Sequence, residues 1–138
     1  MRSADGLLVT VEGKVVDVNL PADGDGFLDR VHELIHDETA QFIKSNIPGV
    51  ILLIADNGKL KGFEWNRAAS LLLPSFPRDC VVGNCLCFGA TESGNIVSLR
   101  TPARLAIKSR AQNAMLAAEI LAMTAGTSPR PTEVQHEV

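Results

Sequence analysis

Residues 32–36 read H-E-L-I-H, which is a literal match to the H-E-x-x-H motif of zinc hydrolases. On a helix, the two histidines of this motif lie one turn apart and hold zinc, while the glutamate polarises the bound water. The segment falls within a predicted helix, as this chemistry requires. A zinc peptidase is therefore one hypothesis, with His32 and His36 as metal ligands and Glu33 as the catalytic residue.

Other features of the same segment count against zinc. The apolar residues of the predicted helix centre on one side, and the two histidines fall opposite, which predicts that they face solvent. Thr39 and Phe42 occupy the positions of the glycine and the third histidine in the extended motif. Glu64 and Glu92 are both available as a third ligand, and the spacing selects neither. We expect no metal and no other cofactor, with zinc kept as the alternative.

The cysteines form a cluster at Cys80, Cys85 and Cys87. An odd number of cysteines so close together favours reduced thiols over a disulfide framework. Structural zinc sites use two C-x₂₋₄-C pairs, which this spacing does not supply. The cysteines are therefore predicted to be small, buried core residues.

Length and composition narrow the function classes. The chain has 138 residues, of which 46% are hydrophobic, so it is expected to fold as one domain with a sizeable core. Thirteen basic residues against sixteen acidic ones give a net charge of −3, which offers no electrostatic reason to expect nucleic acid or an anionic membrane as a partner. Aromatic residues make up only 4%, which disfavours a stacking surface for bases or sugars.

The N-terminal residues suggest a cellular compartment. No uninterrupted apolar run follows the first charged residues, so neither a signal peptide nor a membrane-spanning helix is predicted. Together with the reduced thiols, this leads us to expect a cytoplasmic protein that does not bind a membrane.

The first half of the chain predicts a hairpin followed by a helix. Two β-branched runs at residues 7–11 and 15–20 are separated by a short turn that contains glycine. Asp25 is predicted to cap a helix of about a dozen residues that ends near Asp37. Residues 42–43 are predicted to belong to a short strand.

The strongest strand prediction comes next, at residues 50–55, where a continuous apolar run implies a central position with cover on both faces of the sheet. This strand is predicted to form a hairpin with residues 60–63. Asn66 is predicted to cap a short helix over residues 67–73. A strand at residues 80–88 and a turn into another at 96–99 complete this part.

The order of these elements does not alternate strictly between strands and helices, which disfavours a doubly wound parallel sheet. We predict an α+β fold with a largely antiparallel sheet, two packed helices and a long Ala-rich C-terminal helix over residues 102–124. The single domain is expected to span residues 1–124, with its core at 7–99. The tail at residues 125–138 lacks apolar periodicity and is predicted to be disordered.

The C-terminal helix carries more apolar residues than one helix of a small domain needs to bury. The apolar residues that carry this excess are Leu105, Met115, Leu116, Ile120, Leu121 and Met123, with alanines between them. Two interpretations stay open: the helix packs across its own sheet, or it also packs against a second copy of the chain. We expect a homo-oligomer that forms through this helix.

Several short segments resemble a small family of domains of unknown function, encoded mainly by bacteriophages, plasmids and other mobile elements. The similarity is carried by L-K-G-F-E-W-N-R-A at residues 60–68, D-C-V-V-G-N at 79–84, F-G-A at 88–90 and V-S-L at 97–99. It covers roughly residues 8–99. The family has no assigned activity, so the resemblance implies a mobile-element context and no reaction.

The resemblance also draws attention to Asn66 and Arg67, where a helix begins. One interpretation is a cap followed by a surface charge. The other is a site for an anionic group such as phosphate, to which Arg100 and Arg104 would add if an oligomer brings them close.

We therefore expect a non-enzymatic accessory protein of phage or mobile-element origin, which self-associates and binds a host protein or a small ligand. A sponge for phosphate-bearing signalling nucleotides and the zinc peptidase are the alternatives.

Overall fold

A computed structural model describes residues 2–22 and 24–125. The predicted disordered tail lies outside the described residues, apart from Ala125, which belongs to the last helix. The elements follow in the order β1 (Ser3–Val9), β2 (Val15–Pro21), α1 (Asp25–Ile35), β3 (Ala40–Lys44), β4 (Val50–Ala55), β5 (Trp65–Asn66), α2 (Arg67–Ser70), β6 (Val81–Val82), β7 (Cys85–Ala90), β8 (Ile96–Val97) and α3 (Thr101–Ala125).

The main sheet has the strand order β2-β1-β7-β4-β3, and β8 extends it by pairing with β7. Each of these pairs is antiparallel. The predicted hairpin is β1 and β2, and its turn contains Gly13 at φ 90°, close to the thioether of Met115 in α3. Glycine suits this turn because of its positive φ, and a Cβ there would also lie 2.4 Å from the Met115 side chain, which would have to move.

The sheet is covered on both faces, as the apolar run of β4 predicts. Side chains that alternate along β4 enter two separate cores. Leu52 packs with Ile107 of α3 and Leu72 just after α2, whereas Leu53 packs with Val31 of α1 on the opposite face. The predicted α+β fold with a largely antiparallel sheet and a long C-terminal helix is confirmed.

The predicted hairpin between β4 and residues 60–63 is wrong. Both edges of β4 are already occupied, one by β3 and the other by β7, so no edge remains for the following segment. Residues 57–62 form consecutive turns instead, in which the Lys61 N–H donates to the Asn57 carbonyl (2.9 Å) and the Phe63 N–H donates to that of Gly58 (3.0 Å).

The N-terminal cap of α1, the helix that contains most of the histidine motif, differs from the predicted one. Gly24 rather than Asp25 occupies the cap position, and no side chain accepts a capping hydrogen bond there. Asp25 is the first helical residue, and its negative carboxylate stabilises the helix by interacting with the positive end of the helix dipole. The helix ends at Ile35, because His36 adopts a left-handed conformation with φ 59°.

The segment between β4 and β7 forms a small unit of its own. Here β5 pairs with β6 apart from the main sheet, and the short helix α2 lies between them in sequence. The helix predicted at residues 67–73 ends at Ser70. The strand predicted at 80–88 is divided into β6 and β7, because Gly83 turns the chain with φ 78°.

Helix α3 lies across the face of the sheet opposite α1. Ile107 and Ala111 are buried there, so the interpretation that the helix packs across its own sheet is confirmed for this side. The helix begins at Thr101, one residue before the predicted start. Within the described ranges, no helix is both long enough and apolar enough to cross a membrane.

Candidate functional site

The H-E-x-x-H segment does not form the arrangement that zinc hydrolysis requires. His32 is half-buried within α1, whereas His36 is exposed and lies beyond the end of the helix. The two imidazoles therefore do not occupy successive turns of one helix. Glu33 forms an ion pair with Arg30, one turn earlier. In the part of the chain that the structure describes, no group of three or more His, Cys, Asp or Glu residues is placed to hold a metal ion.

A buried carboxylate follows this segment directly. Asp37 is only 4% exposed, and three groups donate to it: the Asn57 N–H (2.9 Å), the Thr39 N–H (3.2 Å) and the Lys61 ammonium (3.2 Å). The bond from the Asn57 N–H contributes most to holding the pKa of this carboxyl well below its ordinary value, and burial opposes the shift. Asp37 therefore ties the end of α1 to the turn after β4.

We expect Asp37→Asn to lower Tm by several degrees at pH 7, because the amide nitrogen would face a backbone N–H donor. The folded pKa lies below the unfolded value of about 4, so the carboxylate stabilises the fold above that value and less so as the pH falls below it. The Tm difference should therefore shrink between pH 4 and pH 2. Thermal unfolding followed by circular dichroism across this range measures it.

The neighbouring Asp56 provides the matched control, since its side chain is exposed. Asp56→Asn should leave Tm nearly unchanged at every pH. An Asp37→Asn variant that unfolds at the wild-type temperature at pH 7 would show that the three donors do not stabilise the fold.

Asn66 is completely buried, and its amide is fully used within the protein. Its Nδ2 donates to the carbonyls of Val9 and Gly83 (2.9 Å each), and its Oδ1 accepts the Ala69 N–H (3.0 Å). The predicted cap of α2 is thus confirmed. No donor or acceptor of this amide is left for a ligand, and α2 has only four residues, so the interpretation of Asn66 as an anion contact has no support in the geometry.

The three arginines suggested by the sequence have different surroundings. The Arg67 guanidinium lies over the Trp65 ring, 4.4 Å from its centroid, and partial burial lowers its pKa. Arg104 forms an ion pair with Asp17 on β2. Arg100 is exposed at the start of α3, on the rim of a cleft. Arg67 and Arg104 are thus each engaged by a neighbouring side chain, which leaves Arg100 as the arginine best placed for a ligand.

The prediction that the cysteines are buried is confirmed for Cys85 and Cys87 and wrong for Cys80. Cys85 and Cys87 are completely buried on one face of β7, and Cys80 is half-buried before β6. A hydrogen bond with Cys87 and burial both raise the pKa of the Cys85 thiol, and burial raises that of Cys80. Both shifts favour the protonated thiol over the nucleophilic thiolate.

Half of the exposed large apolar side chains among the described residues lie on α3. Leu105, Leu116, Ile120 and Met123 are exposed by 63%, 54%, 56% and 85%. We call these four residues the outer face of α3. At 100° per residue they fall within about 60° around the helix axis, so they form one stripe, which the exposed polar residues Ser109 and Gln112 interrupt between Leu105 and Leu116. Leu121, which is 48% exposed, lies outside the stripe, about 100° from its nearest member around the helix axis.

Comparisons of the chain with protein-family models, curated proteins and solved structures find no match. The arguments for function therefore rest on the geometry of the described residues.

Proposed function

We propose that the chain is a non-enzymatic accessory protein of a bacteriophage or other mobile element, which acts in the cytoplasm and self-associates through the outer face of α3. The observation that carries the proposal is the stripe of large apolar side chains exposed on α3. Large apolar side chains exposed together on one side of a helix ordinarily mark an interaction surface. Here one side packs on the sheet, and we infer that a second copy covers the other.

The inner side of α3 shows why the outer side is unusual. The residues that face the sheet include Ile107, Ala111 and Ala118, so the inward packing uses mainly small side chains. The larger side chains of the distal half point outward. A monomer would gain solubility from the opposite distribution, with the large residues inside and polar residues outside. The observed distribution is the one expected when a second apolar surface must be covered.

The spacing of the stripe suits helix pairing. Leu116, Ile120 and Met123 follow at intervals of four and three residues, which places them on one seam of the kind that packs knobs into holes. Asn113 extends the same seam by one further step toward the N-terminus. A buried polar residue at such a position fixes register at some expense of stability. A symmetric pair of α3 helices would therefore align at one register.

The size of the stripe predicts a reversible dimer. The outer face of α3 would bury on the order of 1,000 Å² at most in total over two copies, which is near the lower bound for specific interfaces. Obligate dimers ordinarily bury 2,000 Å² or more. The equilibrium should therefore shift measurably with concentration.

The mobile-element context is supported by the resemblance of residues 60–68 and 79–84 to the mobile-element family, and the binding of a host protein or small ligand is proposed together with it. The Lys59–Asp79 ion pair (2.8 Å) joins the residue directly before the first segment to the second segment at the protein surface. The two segments therefore belong to one local surface. We propose that this surface binds the host protein or small ligand, in addition to the self-association through α3.

Light scattering over a tenfold or wider concentration range tests the self-association. The full chain should approach twice the mass of one chain at high concentration and fall toward one chain on dilution. A constant monomer mass throughout the range would refute the proposal.

A further inference from the structure

A cleft lies where the ends of β4 and β7 meet the start of α3. It encloses about 650 Å³, a volume in the range of small-molecule sites. Its lining is mainly apolar and includes Ile47, Val50, Ala90, Val97, Leu99 and Ala103. Such a lining suits the apolar body of a ligand.

The polar groups of the cleft lie at its rim. Arg100 is exposed there, and its guanidinium has no ion-pair or hydrogen-bond partner among residues 2–22 and 24–125. The Ser98 hydroxyl accepts the Asp5 N–H (2.8 Å), so its own proton remains available to a ligand acceptor. Helix α3 begins beside these residues with the positive end of its dipole. All three features favour an anionic group.

One opposing charge limits how much negative charge the ligand carries. Glu92 lies on the same cleft, in the turn between β7 and β8. A ligand with several negative charges, such as a nucleotide, would be repelled by this carboxylate. A single carboxylate paired with the guanidinium of Arg100 avoids much of that repulsion and forms a charge-assisted hydrogen bond.

We propose that this cleft binds a small monocarboxylate with an apolar tail, whose carboxylate contacts Arg100 and whose tail lies on the apolar floor. The inference names the ligand class for the small-molecule part of the proposed function. It rests on that part alone and does not require self-association.

Isothermal titration calorimetry of the full chain tests the assignment with octanoate, acetate, 1-octanol and adenosine monophosphate as probes. Octanoate should bind with a Kd in the millimolar range or tighter. Acetate lacks the tail and 1-octanol lacks the charge, so each should bind at least about tenfold more weakly. Tighter binding of adenosine monophosphate than of octanoate would overturn the proposal and favour the nucleotide alternative.

Substitutions locate the site. Arg100→Gln should weaken octanoate binding at least tenfold, and Arg100→Lys should retain part of the affinity because it keeps the charge. Arg78→Gln removes an equally exposed arginine elsewhere and should have no effect. Equal octanoate binding by wild type and Arg100→Gln would refute the site.

Light scattering on the same samples separates this proposal from self-association. If the protein dimerises but does not bind octanoate, the cleft proposal is contradicted and the self-association proposal is not. Octanoate binding by a monomer would support the cleft and contradict the dimer.

Discussion

Replacing Leu116 and Ile120 together by glutamate is expected to convert the protein to a monomer with an intact fold. Each substitution removes a large apolar side chain from the proposed interface and places a negative charge on a helix opposite its own copy. Loss of burial alone is worth about 3 kcal/mol or more for the pair, so the dimer Kd should rise at least 100-fold. Sedimentation velocity measures this shift.

The fold should tolerate these changes because both side chains are more than half exposed in the single chain. The free energy of unfolding of the monomer should change by no more than about 0.5 kcal/mol per site. Leu60→Glu is the matched control: Leu60 is 89% exposed but lies in the turn after β4, far along the chain from α3. That variant should dimerise as wild type does. A Leu116→Glu, Ile120→Glu protein with unchanged mass would show that the contact lies elsewhere.

Asn66→Ala is expected to cause the largest loss of stability among single substitutions of polar residues. It removes two donors and one acceptor that serve Val9 in β1, Gly83 before β7 and Ala69 in α2. Three backbone groups lose their partner in a completely buried position, where each unsatisfied group costs about 1 kcal/mol or more. The free energy of unfolding should fall by about 3 kcal/mol, which urea denaturation measures.

Asn66→Asp sharpens this test because it preserves the shape of the side chain. A carboxylate oxygen would then face the two carbonyls that Nδ2 now serves, so the loss at pH 7 should be at least as large as for alanine. Asn95→Ala, in the exposed turn before β8, is the control and should change stability by no more than about 0.5 kcal/mol. A similarly small change at Asn66 would contradict its role as the link between α2 and the sheet.

Local patterns predict the elements whose partners are close in sequence. The β1–β2 hairpin follows from β-branched runs on either side of a short turn, and the cap of α2 follows from an asparagine before a helical segment. The failed hairpin after β4 has a different cause. The two edges of β4 pair with β3, which precedes β4 in the chain, and with β7, which follows residues 60–63. Local propensity does not show which segments pair with β4.

The same limit applies to the candidate sites. Asp37 receives its strongest hydrogen bond from Asn57, twenty residues away, and nothing in the sequence around Asp37 indicates that contact. The residues that line the cleft come from four separate segments of the chain. The sequence therefore points to Arg100 as a candidate, but it does not predict which residues surround Arg100. By contrast, the outer face of α3 follows from the excess of apolar residues in one helix, because helical periodicity is local.

Cross-linking at Met123 tests the central claim most directly. In a Cys80→Ser background, Met123→Cys places a thiol on the outer face of α3, while Cys85 and Cys87 remain buried. A long flexible bismaleimide should link two copies of this variant efficiently. Leu60→Cys, at a site of similar exposure, should give little product. Cross-linked dimer from Met123→Cys alone is the predicted result, and equal yields from the two variants, or none from Met123→Cys, would contradict the account.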